Sequence, residues 1–595
     1  MRITLSRQEV VWSIAAVVLF ALSFLVKFSA DNITTRAYHA GNIKFLQTFV
    51  PPPEPELDNL DYYVGEMDAG LFGPLAVTLA GAGFLILALV FFRESSAFVF
   101  GAAVFIYLLI TKWQALFYPP YGDAVGGPLA EAIWLLRHSF DYSGLWNQPP
   151  YMEGGPKVYF FTIYPTVMAL LMKALPTIKS FIVVSHLLTF AAVSVIAALY
   201  RKIAARVLSP ALAVMTAVMF LSVPISLSMF EAINMEVPVL LAAMISVVFL
   251  VEKRIVPAAL FAVLTAYTKG PGILICGAVV FCALIWAFTA ERIGEKIKYV
   301  VCALVVAALT VLKIFAALTL TYQYASAQDT AFLSGWASLK STWIFYLFVV
   351  FTLIFVAKLI VDFRHRKTAR LTTEEKGKNR IVFVMFTVML MWFVLFLNQK
   401  TVSPRYSFIL MPFIIFCGVW AVLYAIRNQK AVGVILAGVI LISLINSYGL
   451  FYPPIDGYNY VLEERSLAYR NDLKLTQQIA EVVTDDFSRF HIGAPFIIGQ
   501  TLAMPEFGYV RKPLDVTMYG WPIKYGGIKP FRGLRTMNIS QTLWVGVRSG
   551  LPDNIPFPTG PDDVILKRIN VGHQKAVFFI GGYAIERVRR LLERK

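Results

Sequence analysis

The stretch Phe72–Phe92, which reads FGPLAVTLAGAGFLILALVFF, contains no charged residue. As a helix rising about 1.5 Å per residue, it is long enough to cross the roughly 30 Å hydrocarbon core of a bilayer. Val10–Phe28 and Ile381–Leu397 have the same character. Over all 595 residues, 58% are hydrophobic and 15% are charged, whereas about 25% are charged in an ordinary soluble domain. The sequence therefore predicts a polytopic α-helical membrane protein.

Extending this pattern along the chain predicts about 13 transmembrane helices. They lie near residues 10–28, 71–93, 96–118, 180–200, 210–228, 237–251, 255–268, 271–290, 297–321, 341–361, 381–399, 406–426 and 431–449. With the N-terminus in the cytoplasm, the loops rich in Lys and Arg fall inside, as the positive-inside rule requires. These loops are 201–206, 253–254, 292–298, 364–380 and 427–430. The odd number of spans predicts that the C-terminus lies outside.

One apolar stretch, Val158–Leu175, breaks this alternation if it is counted as a span. Pro165 and Lys173 interrupt it, so we expect a helix lying on the membrane surface, with a fourteenth span as the alternative.

Three regions are predicted: residues 1–95 with two membrane helices and an outer loop, 96–450 with the remaining helices and the outer loop 119–179, and a tail, 451–595. The tail changes composition and predicts a small extracytoplasmic α/β domain. Its patterns indicate a helix around Leu462–Val483 and a basic helix Ala584–Lys595. Strand-like runs occur at Phe496–Ile498, Thr542–Val547, Val564–Ile569 and Ala576–Ile580.

Charge and cysteine content exclude two classes. The net charge of +17 is concentrated in short loops between apolar runs, which is a topology signal rather than a nucleic-acid surface. No nucleic-acid partner is therefore expected. The four cysteines lie in apolar runs without CxxC or Cys/His spacing, so neither a disulfide framework nor a zinc site is predicted.

The segment Tyr118-Pro-Pro-Tyr-Gly-Asp123 begins the outer loop directly after a predicted span. A carboxylate at this depth can meet both a lipid head group and a solute from water. From spacing alone, Asp123 can equally be a helix cap.

Further along, the chain resembles the polytopic glycosyltransferases of the GT-C fold, which take a sugar from a polyprenyl-phosphate donor. The nearest branch is the one with the protein O-mannosyltransferases and the transferase that adds aminoarabinose to lipid A. The resemblance rests on the order and common sidedness of short motifs across about residues 96–430. These are Asp123, Asn147–Tyr159 with its Pro-Pro-Tyr turn, Ile233–Pro238, Thr268-Lys-Gly-Pro271, and Lys400 with Arg405-Tyr406 and Leu410-Met-Pro412.

The resemblance implies a site and a reaction. Asp123 would be the catalytic base, and Lys269, Arg405, Lys400 and Lys157 would bind the donor phosphate. The chain has Asn234 where the family has an acid, with Glu236 close by. The candidates for a second acidic role are therefore Glu131, Glu153, Glu236 and Asn234.

The implied partners are a polyprenyl-phosphate sugar donor, an extracytoplasmic acceptor and membrane lipids, in a bacterial inner membrane. No essential cofactor is predicted, because Asp123 has no acidic neighbour; a divalent metal, used elsewhere in the wider fold, is the alternative.

Two other classes compete with this prediction. A secondary transporter of an anionic solute would place ionisable residues within the membrane, and Lys313 and Glu231 are the candidates. A scaffold for envelope polysaccharide would place the function in the tail.

Overall fold

The computed structural model describes residues 6–39, 62–64, 72–146, 163–321, 350, 352–354, 356–357, 360–361, 372–398, 407–448, 466–467, 469–519, 542–548, 564–571 and 574–580. Within these ranges, seven helices are long and apolar enough to cross a membrane. They are Arg7–Lys27, Gly73–Phe91, Ile178–Ala204, Gly270–Thr289, Ile293–Phe315, Phe408–Ile426 and Gln429–Tyr448. The chain is an integral membrane protein.

The membrane region consists of helices α1 to α17. In chain order they are α1 Arg7–His39, α2 Phe72–Phe91, α3 Ala97–Thr111, α4 Asp123–Gly126, α5 Pro128–Arg137, α6 Tyr142–Trp146, α7 Ile163–Ala174, α8 Ile178–Ala204, α9 Pro210–Ser222, α10 Pro224–Met229, α11 Glu236–Val251, α12 Ile255–Thr268, α13 Ile273–Thr289, α14 Ile293–Thr321, α15 Thr373–Asn398, α16 Ser407–Ile426 and α17 Gln429–Ile445. Most of their apolar side chains form one large core, whereas those of α4, α5 and α7 form a separate cluster with the start of α8.

Several predicted spans differ in detail. The span expected over 210–228 is divided into α9 and α10, because Pro224 has no N–H to continue the hydrogen-bond ladder. The amphipathic stretch expected over 158–175 forms α7, whose 12 residues give a helix about 18 Å long, too short to cross a bilayer. Helices α3, α9, α11 and α12 are also apolar but short.

Loops that were all predicted to be cytoplasmic meet at one end of the helices. The Arg201 guanidinium donates to the carbonyl oxygens of Arg93 and Ser95, both at 2.8 Å. Arg206 donates to the Glu252 carboxylate at 3.0 Å. We call this the basic end. Its contacts agree with a common side for these loops.

The predicted outer segments meet at the opposite end, where the tail forms a six-stranded mixed sheet; we call this the sheet end. The strands are β1 Tyr62–Val64, β2 His491–Pro495, β3 Val516–Tyr519, β4 Thr542–Arg548, β5 Val564–Val571 and β6 Gln574–Ile580, in the order β1-β5-β6-β4-β2-β3. Strand β1 comes from the first outer loop and pairs in parallel with β5. Two distant segments predicted to lie outside therefore share one sheet.

The tail also contains α18 Tyr469–Asp486 and α19 Phe496–Ala503. The apolar face of α18 packs on the sheet through Leu475 and Ile479. The predicted strand at Phe496–Ile498 was wrong, because it is the first turn of α19; a short apolar run does not distinguish a strand from a buried helix. The predicted helix Ala584–Lys595 lies outside the described residues.

The outer loop and the tail are joined directly. Arg137 at the end of α5 forms a two-pronged ion pair with Glu506, with Nε and Nη2 each 2.8 Å from a carboxylate oxygen. The Tyr509 hydroxyl donates to the carbonyl oxygen of Pro120 at 3.0 Å. The tail therefore contacts the segment that leads to Asp123.

Candidate functional site

The turn at Gly122 positions Asp123 at the start of α4. Gly122 has φ 61° and ψ −134°, a left-handed conformation that a side chain would strain. The amide of Val125 donates to the Gly122 carbonyl at 3.1 Å, which closes the first turn. Upstream, His186 Nε2 donates to the carbonyl oxygen of Tyr118 at 2.9 Å. The loop is thus held at both ends, with Asp123 directly after the residue that turns the chain.

The segment between α10 and α11 packs against this turn. Ile233 and Met235 are buried in the same apolar cluster as Ala124 and Val125 of α4. Asn234 lies between them, and its side-chain oxygen accepts from the amide of Met235 at 2.7 Å. Burial of the two flanking apolar side chains therefore brings Asn234 to the loop that carries Asp123.

An open cleft of about 510 Å³ lies between these segments and the tail. We call it the Asp123 cleft because Gly122, the residue before Asp123, is part of its wall. Its walls come from the outer loop, the α10–α11 segment and α18; they include Tyr118, Tyr121, Gly122, Glu231, Asn234 and Tyr469. The polar and aromatic groups of this lining suit a sugar, whose ring has both hydroxyls and an apolar face.

Lys269 and Glu236 form a buried ion pair. Lys269 ends α12 in an extended conformation and is followed by a 3₁₀ turn, Gly270–Gly272. A Cβ at Gly272 would collide with the Thr265 carbonyl, so a glycine there permits the close approach of the two helices. Glu236 begins α11, next to the segment of Asn234. Two residues proposed separately from sequence are thus in contact.

A second oppositely charged pair lies near α5. Glu131 is buried on α5 and acts electrostatically on Lys313 of α14. The Lys313 ammonium lies 5.2 Å from the centre of the Tyr267 ring. Because Tyr267 is one residue from the end of α12, Lys313 lies toward the sheet end of the membrane region. From sequence, Lys313 is a candidate for the transporter alternative, and no pattern there relates it to Glu131.

Glu231 is the centre of a larger buried cluster that the sequence did not predict. Its carboxylate accepts from Arg470 Nη2 and Nε at 2.8 and 2.9 Å, from the Tyr469 hydroxyl at 3.0 Å, and from Lys112. Arg470 also donates to the Tyr448 hydroxyl at 3.2 Å. We call Lys112, Glu231, Tyr469 and Arg470 the Glu231 cluster. It joins α3, the α10–α11 segment and the tail.

The charges in the Glu231 cluster keep the carboxyl ionised. Burial raises the pKa of Glu231, but the Arg470 guanidinium and the Lys112 ammonium lower it by more, to about 2 from its ordinary 4.5. A carboxylate so strongly held in its charged form is unsuited to accept a proton from a substrate near neutral pH. Glu231 is therefore a structural anion at the edge of the Asp123 cleft.

Four predicted site residues, Glu153, Lys157, Lys400 and Arg405, lie outside the described residues. For Asp123 the backbone is described. The roles assigned to all nine candidates, and the domain division, stay predictions. Among the described residues, no group of three His, Cys, Asp or Glu side chains is arranged to hold a metal ion. The expectation that no metal is essential is equally a prediction.

Fold and site together define a polytopic helical membrane protein with an α/β region and a polar cleft at the same end of its helices. No known protein family matches the sequence, and no curated protein matches it. The crystal structure of ArnT from Cupriavidus metallidurans bound to undecaprenyl phosphate aligns with a TM-score of 0.42 and 13% identity, over 80% of this chain and 97% of that chain. A likeness at this level carries no argument about function.

Proposed function

We propose that this protein transfers a sugar from a polyprenyl-phosphate donor to an extracytoplasmic acceptor, with inversion at the anomeric carbon. The observation that carries the proposal is that three separate motif segments lie together at one end of the helices. The segments that carry Asp123 and Asn234 share an apolar cluster and a cleft. Glu236, next to Asn234 in the chain, pairs with Lys269 of the third motif.

In the proposed reaction, the Asp123 carboxylate takes the proton of an acceptor hydroxyl. The acceptor oxygen attacks the anomeric carbon on the face opposite the phosphate, and the bond between that carbon and the phosphate oxygen breaks. The lipid phosphate leaves with the bonding electron pair. A cation beside the phosphate stabilises the charge that develops on it.

Lys269 is the described residue best suited to that cationic role. Its ion pair with Glu236 keeps an ammonium ion buried beside the motif segments. The donor is a phosphodiester with a single negative charge, and the departing lipid phosphate gains a second charge as the bond to the sugar breaks. This phosphate can compete with a carboxylate for such an ammonium, because charge-assisted hydrogen bonds to phosphate are strong. We expect the donor to draw Lys269 away from Glu236 when it binds.

Transport of an anionic solute is the second candidate, and Lys313 is the observation that favours it. Its side chain is buried, with a relative accessibility of 2%, and ionisable residues inside a membrane are usually functional. However, Lys313 lies beside Tyr267 at the sheet end, and Glu131 acts on its charge. This position suits an interfacial site better than a relay at the midplane.

Two parallel assays on purified protein distinguish the two candidate functions. The protein is incubated with a panel of radiolabelled polyprenyl-phosphate sugars and an envelope extract, and in parallel is reconstituted for uptake of soluble anions. We expect label transfer to an acceptor without an ion gradient. Gradient-dependent uptake without label transfer would reject the transferase.

The proposal also requires the Asp123 cleft to face the extracytoplasmic side. A cysteine replacing the exposed Ser488 in the tail should react with a membrane-impermeant thiol reagent in intact spheroplasts, whereas one replacing Gly377 should react after lysis. The reverse pattern would place the site in the cytoplasm and contradict the proposed donor geometry.

A further inference from the structure

A second cleft, of about 800 Å³, lies between α1, α2 and α3 on the other side of the Glu231 cluster. We call it the lipid-side cleft. Lys27 marks the end of the first membrane stretch and Gly73 the start of the second, while Lys112 directly follows α3. The Ser23 hydroxyl donates to the Ala76 carbonyl at 2.7 Å and fixes α1 against α2. The cleft therefore lies where three apolar membrane stretches reach the sheet end.

The mouth of the lipid-side cleft is strongly basic. Lys27, Lys112 and Arg470 line it, and its described lining residues include no carboxylate. Glu231 meets Lys112 and Arg470 from the Asp123 cleft, so the described charged groups of this wall, three cations and one anion, sum to about +2. Lys27 donates to the Gln114 side-chain oxygen at 2.5 Å, which holds its ammonium beside the 3₁₀ turn that begins at Trp113. Such a wall is complementary to an anion.

Below the cations the lining becomes apolar. Ala76, Val77 and Ala80 of α2 and Phe24 of α1 form this part. Trp113, about half exposed, lies at the mouth, where tryptophan is favoured at the boundary between head groups and hydrocarbon. A soluble anion would leave this apolar wall uncovered, whereas a lipid covers it with its chains.

We propose that the lipid-side cleft binds an anionic glycerophospholipid, with its phosphate near Lys27 and Lys112 and an acyl chain along α2. The site is separate from the Asp123 cleft and does not depend on the proposed transferase activity. Its occupant would neutralise the basic face of the Glu231 cluster and so support the attachment of the tail.

The test uses Lys27→Gln, which removes the charge while keeping a side chain that can donate to Gln114. Lys179→Gln is the matched control, because Lys179 is an exposed cation at the start of α8, away from the cleft. Phosphatidylglycerol is titrated onto the full-length protein in detergent and followed by native mass spectrometry, with phosphatidylcholine as the zwitterionic reference.

We expect wild type and Lys179→Gln to prefer phosphatidylglycerol, and Lys27→Gln to bind it about 5-fold more weakly, the factor that one basic residue near an anionic lipid surface supplies. Equal affinity in Lys27→Gln and wild type would overturn the site. So would equal binding of the two lipids by wild type. Displacement of the lipid by millimolar inorganic phosphate would show a site for soluble anions and would also overturn the proposal.

Discussion

Glu231 and Glu236 are two buried carboxylates at the two ends of one short segment, and their surroundings differ. Glu231 accepts from Lys112 of the membrane region and from Tyr469 and Arg470 of the tail. Glu236 pairs with Lys269, in the turn between two membrane helices. One carboxylate therefore connects two parts of the molecule, while the other connects two motifs within one part.

The difference indicates separate roles. A carboxylate that accepts hydrogen bonds from several segments loses all of them if it changes partner, so it suits a fixed connection. A carboxylate paired with a lysine can exchange that lysine with an incoming phosphate. The Glu231 cluster therefore suits attachment of the tail. Donor binding by Lys269 and base catalysis by Asp123 are our proposals.

The largest expected effect is on Asp123. Asp123→Asn keeps the size of the side chain but removes the base, so turnover should fall by about 10²–10⁴-fold. The control is Asp141→Asn, because Asp141 caps α6 in the same loop by accepting from the Gly144 amide at 2.9 Å. Turnover of labelled donor is measured for both. Near-normal turnover in Asp123→Asn would reject Asp123 as the base and transfer the catalytic role elsewhere.

The next effect separates the tail connection from a surface ion pair. Glu231→Gln leaves two buried cations without their carboxylate. This should lower the free energy of unfolding by about 3–5 kcal/mol and raise the rate of hydrogen exchange in α18. Glu252→Gln breaks a partly exposed ion pair with Arg206 and should lower the free energy of unfolding by at most about 1 kcal/mol. Thermal unfolding in detergent and exchange mass spectrometry measure both. Equal costs would mean that the Glu231 cluster does not hold the tail.

A smaller effect tests the exchange of partners at Lys269. Lys269→Gln should weaken binding of the donor lipid in nanodiscs by roughly 10- to 150-fold, the value of one charge-assisted contact of about 1.5–3 kcal/mol. Glu236→Gln removes the competing carboxylate and should leave binding unchanged or make it tighter. If both variants weaken binding equally, the pair acts as a structural unit and the distinction from Glu231 fails.

The last effect is the pH dependence of the tail connection. The pKa of Glu231 is lowered in the folded protein to about 2 from 4.5. Its stabilising contribution is therefore complete above about pH 4.5 and is lost as the pH falls through about 2. The difference in stability between wild type and Glu231→Gln should be constant from pH 7 to about 4.5 and shrink below that. A difference that already shrinks near pH 6 would contradict the ionised cluster.

Much of the architecture could be predicted from local pattern. Uncharged runs such as Phe72–Phe92 have one low-energy solution in a bilayer, since a helix satisfies its own backbone hydrogen bonds. Short strand-like runs likewise predicted β4, β5 and β6. The pattern did not reveal β1, because Tyr62–Val64 is three residues long and its partner strand lies at the far end of the chain.

The sequence predicted the individual residues of the candidate site but not the contacts between them. The positions of Asp123, Asn234, Glu236 and Lys269 at helix ends follow from where the apolar runs stop. Which ions pair does not, because the partners of Glu231 are 119 and 239 residues away in the chain and no periodicity relates them. Glu236 pairs with Lys269, and Arg470 with Glu231, because helix packing brings the chain segments that carry them together. Sequence by itself thus determined the helices and predicted their sidedness and the candidate residues, whereas tertiary packing alone decided which charges meet, since a buried charge is stable only beside its partner.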